Sequence, residues 1–122
     1  MENSNLNYAS ILNHFIANSI LTEKQTSIIY NKITKSKDSK EMSPGAYYRQ
    51  LAQCRVKIRR IVYTLLLLRL FSVFDTETFS VLEQLNNQLN VMLSKRSDEV
   101  DNTTLNNVTT LIDDVIAKLV LI

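Results

Sequence analysis

The side chains with the most chemistry to offer in this chain are its bases. Lys24, Lys32, Lys35, Lys37, Lys40, Arg49, Arg55, Lys57, Arg59 and Arg60 fall between residues 24 and 60. Only Asp38 and Glu41 oppose them there, so ten cations against two anions leave the segment at +8. Residues 1–23 carry −2 and residues 61–122 carry −4, which brings the 122-residue chain to its net +2. A basic middle between acidic ends points to a polyanionic partner.

Other chemistries lack parts. The single Gly excludes phosphate loops and dinucleotide turns, which need two or three glycines. The single Cys excludes an internal disulfide framework and a multi-cysteine zinc site. His14 has no Cys or second His near it in sequence, so no metal or catalytic role is expected. Cys54 falls in an apolar seam and reads as a small buried hydrophobe. Asp113 and Asp114 are adjacent, about 100° apart on a helix, and cannot converge on one substrate atom. The expectation is a chain that is not an enzyme and uses no cofactor, metal or small-molecule substrate.

The elements that must position the bases are helices. One Gly and one Pro are too few for the many corners of a β fold. Apolar spacing predicts a first helix over about 8–18, carrying Tyr8, Ile11, Leu12, Phe15 and Ile16 on one face. A second begins after Thr22, where Thr22-Glu23-Lys24-Gln25 is a capping box, and buries Ile28, Ile29 and Ile33. Residues 35–42 are polar and read as a loop that could contain one helical turn. Ser43 as N-cap and Pro44 as first residue open a third helix to about Phe71. Tyr47, Leu51, Cys54, Ile58, Ile61, Leu65 and Leu68 form its seam, stepping alternately by four and three. Asp75 caps a fourth helix with a stripe of Phe79, Leu82, Leu85, Leu89 and Met92. A fifth, about 102–120, carries Leu105, Val108, Ile112, Val115 and Leu119.

On a helical wheel with Arg49 at the origin, Arg60 falls at about 20°, Gln53 at about 40° and Lys57 at about 80°. Arg59 and Arg55 fall at about −80° and −120°, and the seam from Tyr47 to Ile61 at about 120–200°. The first half of the helix thus opposes a basic face to its apolar one, and the second half is almost wholly apolar. A helix held in a core by that second half would project the first as a basic rod. Such a rod fits the DNA major groove, where Arg reads guanine and Gln can read adenine.

Leu21-Thr22-Glu23-Lys24-Gln25 with Ile28 and Ile29, followed by Ser43-Pro44-Gly45-Ala46-Tyr47-Tyr48-Arg49 and Gln53, resembles a helix-turn-helix DNA-binding domain. A capped support helix of the Leu-Thr-x-x-Gln type there precedes a recognition helix. The resemblance implies that Ser43, Tyr48, Arg49 and Gln53 lie nearest the bases, and Lys57 and Arg60 nearer the backbone. Lys35, Lys37 and Lys40 would reach phosphates from the connection. That connection exceeds the motif's usual turn of about three to four residues. Either a short helix lies within it or the geometry differs.

The expected fold is therefore all-α, with about five helices. A helix-turn-helix-like region, 1–62, precedes a helical core and oligomerisation region, 63–122. The Leu-rich surplus of the last three helices suggests a C-terminal hairpin or coiled coil that forms a homodimer, as palindromic half-sites favour. The expected function is a small transcriptional regulator binding double-stranded DNA. RNA is a weaker partner, since RNA readers stack bases on clustered aromatics and only Tyr48 is available here. The alternative is a helical-bundle protein–protein interaction module with no nucleic-acid role. The apolar run 61–74 is interrupted by Arg69 and falls short of the ~20 residues a membrane span needs, so it reads as a buried core helix. Residues 1–8 have neither the basic nor the apolar part of a signal peptide, and a cytoplasmic location is expected.

Overall fold

The computed structural model describes residues 11–35, 42–93, 102–120 and 122. Among them all regular structure is helical: α1 over 11–17, α2 over Glu23–Thr34, α3 over Pro44–Leu70, α4 over Thr76–Leu93 and α5 over Asn102–Leu119. No described helix is long and apolar enough to cross a membrane. The chain divides into two compact units, Phe15–Thr64 and the residues through His14 together with Leu65–Ile122.

Local chemistry sets the helix ends. At α2 the Thr22 hydroxyl accepts from the Gln25 amide at 3.1 Å, and Gln25 Oε1 accepts from the Thr22 amide at 3.2 Å. Both halves of the capping box are therefore closed. Lys35 ends α2 in the left-handed region at φ 59°. Ser43 starts α3, its hydroxyl accepting from the Ala46 amide at 3.2 Å. α3 ends in a Schellman motif: the Val73 amide donates to the Leu68 carbonyl, the Ser72 amide to the Arg69 carbonyl, and Ser72 sits at φ 63°. Asp75 caps α4 by accepting from both the amide and the hydroxyl of Thr78, at 2.9 and 3.0 Å. Phe74 and Phe79, on either side of that cap, meet edge to face at 6.2 Å and staple the helix start. Arg69 lies over the Phe79 ring and donates to the Phe74 carbonyl and the Thr76 hydroxyl.

In the unit Phe15–Thr64, α2 and α3 form an antiparallel hairpin. Ile28, Leu51 and Cys54 make its buried core, with Ile29, Met42 and Tyr47 packed against it. Three expectations fail here, one of them at Ile58, a seam residue that is 42% exposed because the core formed with α2 stops at Cys54. Ile33 is 75% exposed instead of buried. The residues packed against the hairpin core are Ile29, Met42 and Tyr47, and Ile33, near the end of α2, is not among them. More consequentially, the fully buried residues of α3 lie in its first half, not its second. Leu51 and Cys54 are buried, whereas Leu66, Leu67, Leu70 and Phe71 are between 49% and 79% exposed. A helix apolar on all sides needs neighbours on all sides. The described chain covers only one, leaving Ile61, Leu65 and Leu68 half-buried and the opposite face open.

In the other unit the buried apolar residues are Ile11, Leu105 and Ile112. Leu105 and Ile112 belong to the α5 stripe read from the sequence, as do half-buried Val108, Val115 and Leu119. The α4 stripe is half-buried from Leu82 to Met92, and Phe79 at its start is 37% exposed. His14 Nε2 lies 2.7 Å from Asp113 Oδ1 and ties α1 to α5. The two residues stand 99 positions apart, and sequence spacing carries no sign of their pairing.

A candidate nucleic-acid interface on α3

Docking α3 on α2 leaves the side between the seam and solvent as an open groove of about 470 Å³. Arg49, Gln53, Lys57 and Arg60 line it from α3, and Gln25 from α2, with Ala52 and Val56 as its apolar part. Arg49 and Arg60 are exposed, and the helical rise separates them by about 16 Å along the axis. Among the described residues no carboxylate comes within ion-pairing distance of Arg49, Arg55, Arg59 or Arg60. Arg55 and Arg59, also exposed, lie outside the groove.

Gln25 is the groove's organising residue. It is 3% exposed, and all four of its side-chain hydrogen-bonding positions are filled. Its Oε1 accepts from the Thr22 amide at 3.2 Å and from Lys57 Nζ at 2.7 Å. Its Nε2 donates to Gln50 Oε1 and Gln53 Oε1, each at 3.4 Å. One side chain thus belongs to the cap of α2 and to the basic helix at once. Its own backbone carbonyl faces Cys54 Sγ at 3.7 Å. Burial pushes the Cys54 thiol above its ordinary pKa, although the nearby Lys57 ammonium pulls the other way.

The residues singled out in the sequence separate into groups. Arg49, Gln53, Lys57 and Arg60 converge on the groove. Ser43 does not line it, and its hydroxyl serves the α3 cap. Tyr48 is 66% exposed, outside the groove, with its ring edge against Tyr47 at 5.3 Å. Lys35 forms the α2 C-cap. Lys37 and Lys40 lie outside the described residues, as does any helical turn within 36–41. Lys57 is not a free cation: half-buried, it donates to the Ile20 carbonyl at 2.8 Å as well as to Gln25. Gln25 reads in the sequence as a cap residue only. The capping box engages one lone pair of its oxygen and leaves its nitrogen unassigned, and nothing in the spacing tells what that nitrogen meets.

Among the described residues no cluster of three His, Cys, Asp or Glu could hold a metal ion. No protein-family model, no curated protein and no solved structure matches the chain.

Proposed function

We propose that the protein is a small, non-enzymatic, cytoplasmic regulator that binds double-stranded DNA through the basic face of α3. The observation that carries this reading is the groove in which Arg49 and Arg60 stand exposed, with no described carboxylate to neutralise them. Unneutralised guanidinium groups in a row on a helix attract a polyanion, and an α-helix matches the width of the major groove. In this reading Arg49, Arg60 and Gln53 face the bases or adjacent phosphates. Exposed Tyr48 and the Lys35 to Lys40 segment reach the backbone. A homodimer formed through the C-terminal helices would present two such faces to paired half-sites. An electrophoretic shift of duplex DNA at two salt concentrations tests it. Binding that weakens steeply with salt supports the reading, and no binding at low salt ends it.

A second reading is favoured by the open apolar face of α3, where Val62 is 50%, Leu66 57% and Leu70 79% exposed. It makes the chain a helical interaction module whose charges only keep it soluble. It predicts that Arg49→Ala and Gln53→Ala leave function intact and that self-association or a protein complex persists without nucleic acid.

A further inference from the structure

We infer that the α3 groove offers its ligand hydrogen-bond donors almost exclusively, and so prefers the acceptor edge of guanine to the mixed edge of adenine. The inference rests on the DNA-binding reading above and deepens it.

The orientation of three glutamines follows from chemistry. The Lys57 ammonium and the Thr22 amide can only donate, so the Gln25 side-chain atom between them is its oxygen. The Gln25 nitrogen then points to Gln50 and Gln53, and a nitrogen with two hydrogens must meet their oxygens. Gln53 therefore has its carbonyl oxygen turned toward Gln25 and keeps its NH2 group for the groove. Arg49 and Arg60 are donors by nature, and Lys57 has one N–H beyond the two already engaged.

This alters what Gln53 can read. A glutamine that recognises adenine uses both ends of its amide, accepting from N6 and donating to N7. With its oxygen turned to Gln25 and one of that oxygen's two lone pairs engaged there, Gln53 presents its NH2 end first and is poorly set for that two-ended pairing. Guanine presents N7 and O6, both acceptors, to the major groove. Arginine forks and an amide NH2 complement that edge. Gln25 acts as a positioning residue, setting specificity without touching DNA.

The test is fluorescence anisotropy of the full chain with two duplexes of equal length at one low salt concentration. One is built of alternating G·C pairs and the other of alternating A·T pairs. A third duplex replaces guanine with 7-deazaguanine, which keeps pairing but removes the N7 acceptor. The G·C duplex should bind about tenfold tighter than the A·T duplex, and the 7-deaza duplex should lose most of that advantage. Gln25→Glu still accepts from Lys57 but cannot donate to Gln53, so it should narrow the G·C to A·T ratio. Equal binding of all three duplexes by the parent chain overturns the inference alone and leaves phosphate contact as the whole interaction. A ratio unmoved by Gln25→Glu, in protein whose circular dichroism matches the parent, overturns the positioning role. No binding to any duplex overturns the DNA reading and this inference together.

Discussion

Lys57 Nζ donates to Gln25 Oε1 at 2.7 Å, joining the most basic helix of the protein to a side chain that water barely reaches. A bond from a charged donor to a buried acceptor is worth more than a neutral one. Lys57→Met keeps the methylene stem and removes the donor. It should lower the stability of the hairpin unit by about 1–2 kcal/mol. Urea denaturation followed by circular dichroism gives that number. An unchanged midpoint would mean that water replaces the contact without loss.

The α2 cap is a separate device with a separate size. Thr22→Ala removes the hydroxyl that accepts from the Gln25 amide and should cost about 1 kcal/mol. Thr22→Ser, which keeps the hydroxyl, should stay within a few tenths of a kcal/mol of the parent. Differential scanning calorimetry of the pair separates the cap from general disturbance.

Acid should weaken α4 through one identifiable group. The Thr78 amide and hydroxyl both donate to the Asp75 carboxylate and hold it below the ordinary carboxylate range. A carboxyl depressed in the folded state contributes stability above its unfolded value near pH ~3.9. That contribution is lost as pH falls from there through the folded value. Asp75→Asn keeps an acceptor oxygen but does not titrate in that range. The parent's urea midpoint should fall relative to the variant's below about pH 4 and run parallel to it between pH 5 and 7.

The end of α3 offers a gain. Ser72 holds φ 63°, a conformation that strains a side chain bearing a Cβ and suits glycine. Ser72→Gly should raise stability by about 0.5–1 kcal/mol, less whatever glycine adds to the entropy of the unfolded chain. A lower melting temperature for the variant would show that the unfolded state dominates.

If DNA is the partner, the free arginines and the tethered lysine should behave differently. Arg49→Ala and Arg60→Ala should each weaken binding to the G·C duplex by about 1–3 kcal/mol and narrow its advantage over A·T, with little change in stability or in the salt slope. Arg55→Ala, outside the groove, should leave the preference between duplexes unaltered. A titration series at four salt concentrations measures both.

Helix positions were legible because each has a local chemical signature. Thr22 with Gln25, Ser43 with Pro44, and Asp75 mark three starts in the sequence, and the helices begin at Glu23, Pro44 and Thr76. The α5 stripe was equally legible, since a step of three and four residues is a property of one helix alone. What sequence could not supply was which face of α3 meets a neighbour. The seam continues through Leu65 and Leu68, and its hydrophobicity rises toward the C-terminal end. Yet the contacts with α2 fall on Leu51 and Cys54, because the hairpin register and not hydropathy decides them. At the candidate site the wheel correctly placed Arg49, Gln53, Lys57 and Arg60 on one side. It could not foresee Gln25, which comes from another helix, or that Lys57 would be tethered by it.

The bond between His14 and Asp113 has a consequence for how the chain becomes a structure. The side-chain hydrogen bonds that tie Ile20 and Gln25 to α3 join residues 25 to 37 positions apart, and little loop entropy opposes them. A nascent chain can complete them before α5 is synthesised. His14 can meet its carboxylate only once Asp113, 99 positions downstream in α5, has emerged. Ribosomal delivery therefore lets the α2–α3 hairpin close before the His14–Asp113 bond can form, although His14 precedes the hairpin in the sequence.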